Sequence, residues 1–377
     1  MIMSINFTQC SRNAKGTLLS RDHEVRRLIL LPLVAVVMAT LSVGTAHAQT
    51  PRVIEGGGFV YTADEHGNSI SAIDLATTRV TTIPIPISPH NVQITTDGTR
   101  LLAVGAAVAD GHGHGHDKAA HDAGETRGRL LVFDAAFLAK GPIETISVGA
   151  HPAHVVPGPE SRRAFVTNAG DNTVSVVDLA RMSVVKTIAV GRYPHGLRMS
   201  PNGREVYVAN VQDGSLSVID TGSLIEVARI QVGTTPVQVG FTPDGSRVYV
   251  SLRDENRVAV VDTAARTLIG TIKVGRNPIQ VHATPDGRFV YAANQGTDAE
   301  PADTVSVIDV AAGSVIDTIR TGKGAHGVSM SDDGAVVLVT NIVDSTVSVI
   351  NTATREVLTT FAVGHGPNGV TYRSMPR

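Results

Sequence analysis

The densest group of metal-ligating side chains in this sequence lies in the stretch DGHGHGHDKAAHD, residues 110–122. Its first three histidines alternate with glycine, so in an extended chain their imidazoles project to one side. Neutral imidazole binds Zn, Cu and Ni well, which makes the stretch a candidate divalent-metal site. The alternative is a solvated loop without an ion, because ordering so many glycines costs backbone entropy. The candidate ligands are His112, His114, His116, Asp117, His121 and Asp122.

A second group of histidines belongs to an internal repeat with a period of 42 residues, seen in Val190-Gly191, Val232-Gly233 and Val274-Gly275. An apolar residue followed by Asp or Asn marks one point in each unit. It recurs at Ile73-Asp74, Phe133-Asp134, Val177-Asp178, Ile219-Asp220, Val261-Asp262, Ile308-Asp309 and Ile350-Asn351. The sequence therefore contains seven copies of one structural unit.

Each unit holds four short β-type segments, which we label strands A to D, separated by turn residues such as Pro201-Asn202-Gly203. Four antiparallel strands repeated seven times are typical of a β-propeller. The first unit lacks strand A, whereas GHGPNGVTYR near the C-terminus supplies a strand A with nothing after it. We predict an all-β, seven-bladed propeller of four-stranded antiparallel blades over residues 49–377, closed by the C-terminal strand joining the N-terminal blade.

Three of the predicted B strands carry a common motif: VYVAN at 206–210, AFVTN at 164–168 and VLVTN at 337–341. Each is followed by a V/L-x-V-I/V-D/N segment. In this respect the chain resembles the YVTN-repeat β-propellers that many bacteria export, over nearly all of the predicted mature length. The resemblance implies the fold rather than one activity, because that family contains many binding proteins and related propellers include lactonases and copper- or haem-bearing reductases.

In a propeller, strand A lies nearest the central channel, and the D-to-A and B-to-C connections open on one face, the channel mouth. His90, His195 and His326 occupy equivalent positions at the start of strand A, and His154 lies one residue further along. A subset such as His154 and His195 suits one ion better than all four, because metal ligands must converge near 2 Å. Alternatively, the imidazoles only fill the channel mouth.

The asparagines that end four B strands are expected at the same mouth, either as ligand-binding groups or as caps of the strand-end turns. They are Asn168, Asn210, Asn294 and Asn341. The histidine-rich insertion, residues 109–128, is a B-to-C connection of the second unit and is also expected on this face.

Residues 1–48 are predicted to be a cleaved signal peptide, because Arg26 and Arg27 precede an apolar run that ends at Ala46-His47-Ala48. The mature protein is then periplasmic or secreted, without a membrane span. Residues 1–48 carry five Lys/Arg and two Asp/Glu, so the −2 of the whole chain becomes −5 for the remainder, and no nucleic-acid partner is expected. The only cysteine, Cys10, lies in this leader, which excludes disulfides and covalent haem attachment in the mature chain.

These features favour an exported binding or scaffold protein, a monomer that recognises a small molecule or a protein at the channel mouth and binds a divalent metal. The alternative is a propeller enzyme that uses the mouth histidines, either a lactonase-like hydrolase or a metal- or haem-dependent redox protein. Hydrolysis would need an acid or base beside the histidines, and the repeat shows no acidic residue recurring there. No catalytic residue is identified, so binding is preferred over catalysis.

Overall fold

The computed structural model describes residues 53–54, 57–108 and 127–375. Within them the chain forms seven four-stranded antiparallel sheets, which confirms the predicted seven-bladed propeller. The predicted leader and residues 109–126 of the predicted insertion lie outside this range. Among the described residues, no helix has the length and apolarity that a membrane crossing requires.

The strands follow one another blade by blade. Blade 1 contains β1 (Phe59–Asp64), β2 (Ser69–Asp74) and β3 (Val80–Pro84). Blade 2 contains β4 (Ile87–Ile94), β5 (Arg100–Ala107), β6 (Arg127–Asp134) and β7 (Glu144–Ala150). Blade 3 contains β8 (Pro152–Pro157), β9 (Arg163–Asn168), β10 (Thr173–Asp178) and β11 (Ser183–Ala189). Blade 4 contains β12 (Pro194–Met199), β13 (Glu205–Asn210), β14 (Ser215–Asp220) and β15 (Ile225–Gln231). Blade 5 contains β16 (Pro236–Phe241), β17 (Arg247–Leu252), β18 (Arg257–Asp262) and β19 (Thr267–Lys273).

The remaining strands complete the ring. Blade 6 contains β20 (Pro278–Ala283), β21 (Phe289–Gly296), β22 (Pro301–Asp309) and β23 (Ser314–Arg320). Blade 7 contains β24 (Ala325–Met330), β25 (Val336–Asn341), β26 (Thr346–Asn351) and β27 (Val357–Ala362). The last strand, β28 (Pro367–Arg373), returns to blade 1. Short 3-10 turns lie at Glu65–Gly67, Leu138–Lys140 and Arg253–Glu255.

The hydrophobic core lies between neighbouring blades. The two middle strands of each blade are mostly apolar and buried on both faces, as in β13 and β14. In the outermost β15, exposed residues alternate with partly buried ones, and only Ile230 is buried. One apolar cluster joins Tyr207 of blade 4 to Val239 and Val248 of blade 5. Because each blade buries its faces only against its neighbours, the blades depend on the closed ring for their stability.

The ring closes as the sequence predicts. Strand β28 pairs antiparallel with β1, from Phe59 opposite Arg373 to Asp64 opposite Pro367. The Tyr372 hydroxyl also donates to the Gly57 carbonyl at 3.0 Å. The C-terminal strand is thus the innermost strand of blade 1, and it covers what would otherwise be an exposed sheet edge.

The innermost strands carry a β-bulge at the end where the histidines lie. In blade 4, Pro194 pairs with Asn210 and Leu197 with Val208, so three steps on β12 match two on β13. A bulge places an extra residue in one strand and turns the side chains around it. The bulged segments include His195 in blade 4, and they recur between Pro89 and Asn91 and between Pro152 and Val155.

Candidate metal centre at the channel mouth

Three histidines from consecutive blades meet at the channel mouth. His90, His154 and His195 each offer one ring nitrogen, and these three atoms lie within 4.8 Å of one another. Their ring centroids are 4.9 to 5.6 Å apart. The bulged ends of β4, β8 and β12 bring them together. The predicted pair of His154 and His195 thus lies together, and His90 joins it.

His90 and His195 face each other through their Nε2 atoms, which are 3.0 Å apart. On the far side of each ring, His90 Nδ1 lies 3.1 Å from Glu65 Oε1, and His195 Nδ1 lies 3.2 Å from the Val237 carbonyl oxygen. Asn368 Nδ2, a donor, also lies 3.0 Å from His90 Nδ1, so this nitrogen can either donate to Glu65 or accept from Asn368, whereas His195 Nδ1 donates to the carbonyl. When both Nδ1 atoms carry the proton, the two Nε2 lone pairs point at each other.

When His90 carries its proton on Nε2 instead, it donates to His195 Nε2, and its Nδ1 accepts from Asn368. In the first arrangement, a metal ion between the rings would accept both lone pairs. A tetrahedral ion with bonds of about 2.0–2.1 Å separates its ligand atoms by about 3.3 Å. The observed separation of 3.0 Å therefore needs little rearrangement to hold such an ion.

His154 is buried deeper, with 1% of its surface exposed. Its Nδ1 lies 3.2 Å from Gln238 Nε2, and Gln238 Oε1 accepts from the Val239 amide at 2.8 Å, which orients the Gln238 amide. This contact bridges blades 3 and 5, across Gly196 of blade 4. A Cβ on Gly196 would collide with Gln238 Oε1, so only glycine leaves room for the bridge.

Burial keeps the rings of His154 and His195 neutral. Desolvation, followed by the nearby His90 and His326, lowers the pKa of His195 to about 3. Desolvation and then His195 and His90 lower the pKa of His154 well below 6.5. Neutral imidazoles keep a lone pair for coordination at physiological pH, whereas protonated ones cannot bind an ion.

Glu65 is an acidic residue beside the histidines, although no acidic residue recurs at this position of the repeat. Its Oε1 faces His90, and its Oε2 accepts from Asn368 Nδ2 at 2.7 Å. Burial raises its pKa, but His90 and Asn368 outweigh that effect and bring the pKa down to about 2. A carboxylate behind an imidazole raises the basicity of the ring and orients it toward an ion.

Sequence reasoning missed Glu65 because it follows one of the B strands that lack the terminal asparagine. Strand β1 ends in Asp64 where four other blades have asparagine, and Glu65 follows at the start of a B-to-C connection. Aligning the repeat units at that position would have placed the carboxylate on the mouth face.

His326 stands apart from the three-histidine group. It is 6% exposed, and its Nδ1 lies 3.3 Å from the Asn368 carbonyl oxygen. Burial and then the neighbouring His90 lower its pKa to about 4. It lies near the mouth as predicted, as a neighbour of Asn368 rather than as a member of the cluster.

The four strand-end asparagines are fully buried inside their blades. Asn210 Nδ2 lies 3.1 Å from the Ser215 hydroxyl and 2.9 Å from that of Ser217, on the following strand. Asn168, Asn294 and Asn341 make the same kind of contact. These bonds hold the strand ends, which supports the capping alternative. The predicted ligands of the histidine-rich segment, His112, His114, His116, Asp117, His121 and Asp122, lie outside the described residues.

A cavity of about 210 Å³ opens beside the histidines, between blades 2, 3 and 4. Glu65, His90 and His195 line it together with His151 and Tyr193, two exposed residues of the D-to-A turns. Both turn residues have a left-handed φ, of 46° and 54°. Thr235 and Asn277 have it at the same turn of other blades, so it is a feature of the repeat and not strain specific to this site.

Known propellers of solved structure share the architecture. Hydrazine synthase from Kuenenia stuttgartiensis superposes with a TM-score of 0.62 at 20% identity, over 76% of this chain and 95% of the other. A protein of unknown function from Desulfotomaculum acetoxidans gives 0.68 at 15%, over 85% and 100%. A protein from Bacteroides uniformis, to which 6-phosphogluconolactonase activity has been attributed, gives 0.65 at 16%, over 84% and 100%. At such identities the likeness shows the fold alone.

At the level of sequence, no curated protein matches the chain significantly. The profile of the YNCE-like beta-propeller family matches residues 142–245 and 221–374, which together span more than half of the chain. The matched segments contain the repeat units that carry the YVTN-type motif. The chain therefore belongs to the YNCE-like beta-propeller family, a group of YVTN-type propellers.

Proposed function

We propose that this protein is a binding propeller that holds one divalent transition-metal ion, of the Zn, Cu or Ni class, at His90, His154 and His195. The observation that carries the proposal is the convergence of three imidazole nitrogens within 4.8 Å. Three histidines, one of them backed by a carboxylate, are a donor set that these ions prefer.

The arrangement leaves room for a further ligand. Three protein donors fill three positions of a tetrahedral ion, and the fourth is then free for water or another small ligand. The cavity of about 210 Å³ beside His90 and His195 offers space for such a ligand. With the predicted leader over residues 1–48, the proposed role is that of an exported protein that presents a metal to a small molecule or to a protein side chain.

The test must separate the cluster from the histidine-rich segment, since both can bind metal. We would delete residues 111–122, strip the protein with a chelator, reload it with Zn²⁺ and count ions per chain by elemental mass spectrometry. We expect one ion per chain in this background and none after the double substitution His154→Ala/His195→Ala.

The matched control is His365→Ala, because His365 is an exposed histidine on the same face that makes a ring contact with His66. It should retain the ion. An unchanged metal count in the double variant, in protein that keeps its fold, would rule out the cluster as the binding site.

A second candidate, a metal-dependent hydrolase, is supported by the cavity that adjoins the three donors. Catalytic zinc sites commonly combine three protein ligands with an open position. Glu65 is less suited to act as a general base, because both of its carboxylate oxygens already face partners. Turnover of a panel of lactones that disappears in the same double variant would favour this candidate over simple binding.

A further inference from the structure

Arg198, on the innermost strand of blade 4, is a cation with no ion-pair partner among the described residues. It lies on β12, three residues beyond His195, and is partly buried. Its Nη1 is shielded from solvent and has no hydrogen-bond partner among the described residues. Desolvation lowers its pKa to about 10, so the guanidinium stays charged at neutral pH.

The surroundings of Arg198 do not neutralise it. The corresponding residues of the other inner strands are Gln93, Val156, Gly240, His282, Ser329 and Thr371, and none is acidic. The charge of Arg198 contributes to lowering the pKa of His154 and of His282, so it lies near both. Desolvation and then the charge of Arg198 lower the pKa of His282 to about 4, although the contact of its Nδ1 with the Ala283 carbonyl oxygen at 2.9 Å opposes this. The neutral ring provides no counter-charge for Arg198.

A shielded guanidinium nitrogen without an acceptor is unfavourable for the folded protein, because desolvation of a charged donor is repaid only by a hydrogen-bonded counter-charge. Other partly buried arginines in the described chain have a carboxylate as a counter-charge: Arg266 bonds to Glu205 at 2.6 Å, and Arg355 lies 3.6 Å from Asp317. The planar fork of arginine matches two oxygens of a carboxylate, phosphate or sulfate group.

We propose that Arg198 forms an oxyanion-binding site in the channel, whose ligand is a phosphate, a sulfate or the carboxylate group of a small molecule. The site uses none of the three clustered histidines and does not require a metal ion there. It therefore goes beyond the proposed metal binding, and either proposal can fail alone.

The experiment measures binding of inorganic phosphate, sulfate and acetate by isothermal titration calorimetry, with the full chain stripped of metal and the ionic strength held constant with NaCl. We expect saturable binding of at least one oxyanion to the unaltered protein and binding at least tenfold weaker in Arg198→Met. A response to acetate but not to phosphate or sulfate would identify the ligand as a carboxylate. Arg204→Met is the matched control, because Arg204 is an exposed arginine on the turn after β12, and it should bind as the unaltered protein does.

Two further variants keep the test decisive. Arg198→Lys retains the charge without the fork and should bind with intermediate affinity, even if the methionine variant fails to fold. His154→Ala/His195→Ala should still bind the oxyanion, which separates this site from the metal centre. The proposal is overturned if none of the three anions binds the unaltered protein, or if the methionine and lysine variants bind as tightly as it does.

Discussion

At the residue scale, the site depends on how each imidazole is held from behind. His90 is backed by Glu65, His195 by the Val237 carbonyl and His154 by the Gln238 amide. These partners determine which nitrogen carries the proton and therefore which one can coordinate. The carboxylate should contribute most to metal affinity, because it alone brings a full negative charge.

The substitution Glu65→Gln tests this contribution. Glutamine keeps the size and one acceptor oxygen but removes the charge, so we expect Zn²⁺ to bind about tenfold more weakly, at the lower end of the usual effect of losing a group behind a metal ligand. Competition with a chromophoric chelator in the loop-deleted protein would measure it. An unchanged affinity would mean that Glu65 does not orient or polarise His90.

A second residue-scale prediction concerns Asp64, a fully buried acid where four blades have asparagine. Burial raises its pKa above 3.8, although hydrogen bonds from Thr62, Ser71 and Ser69 oppose this. The folded protein therefore binds the proton more tightly than the unfolded chain, and its stability falls as the pH rises from about 3.8 through the raised pKa.

We expect Asp64→Asn to increase the free energy of unfolding by about 1 kcal/mol at neutral pH, because it removes a buried charge and restores the amide that other blades use. The gain should shrink as the pH falls toward 4. Denaturant unfolding at several pH values would measure both effects. The reverse change, Asn341→Asp in blade 7, is the matched control and should destabilise; a stabilising effect there would refute the argument.

At the scale of the element, the bulge and one glycine in the inner strands shape the site. The bulge turns His195 toward the mouth, and the next residue, Gly196, leaves space for Gln238 to reach His154. A side chain on Gly196 would also press on the Val237 carbonyl, the partner of His195. One glycine thus supports two of the three imidazoles.

Gly196→Ala should therefore cost about 1–3 kcal/mol of unfolding free energy, as overpacking in a dense interior does, and should weaken metal binding as well. Gly270→Ala on the outer strand β19 is the control, because a Cβ there meets nothing within 4 Å. Urea denaturation and zinc titration of both variants would check this. Equal stability and affinity in the two variants would contradict the packing argument.

At the scale of the whole molecule, one strand both closes the ring and contributes a residue to the site. Strand β28 supplies the inner strand of blade 1 through its pairing with β1. It also carries Asn368, which donates to Glu65 and lies 3.0 Å from His90. The closure of the propeller and the surroundings of the metal centre therefore depend on the same segment.

Deletion of residues 364–377 should abolish both cooperative unfolding and metal binding, because it opens the ring and exposes the edge of β1. Thermal melts followed by circular dichroism, with a zinc count, would show this. Deletion of residues 374–377 removes only the residues after β28 and should leave both properties intact. A cooperative melt in the longer deletion would show that ring closure is not needed for folding.

The amino-acid sequence alone specifies the fold, the number of blades and the closing strand. These features arise from local patterns: a period of 42 residues, turn residues between β-type segments, and an incomplete first unit matched by a surplus last strand. Such patterns specify strands and their neighbours because each blade repeats the same short-range pairing. The sequence also predicts that the histidines of strand A lie at the channel mouth, because the repeat places strand A beside the channel.

Three-dimensional packing selects which of those residues form a site. His90 and His195 lie 105 positions apart and yet have ring nitrogens 3.0 Å apart, whereas His326, at an equivalent position, lies outside the group. The repeat pattern in the sequence makes the seven inner strands equivalent. Their differences arise from long-range packing: the bulge, the space above Gly196, and Glu65 reaching the mouth from the first blade. Side chains distant in sequence meet only when the ring closes, and no local pattern encodes that distance.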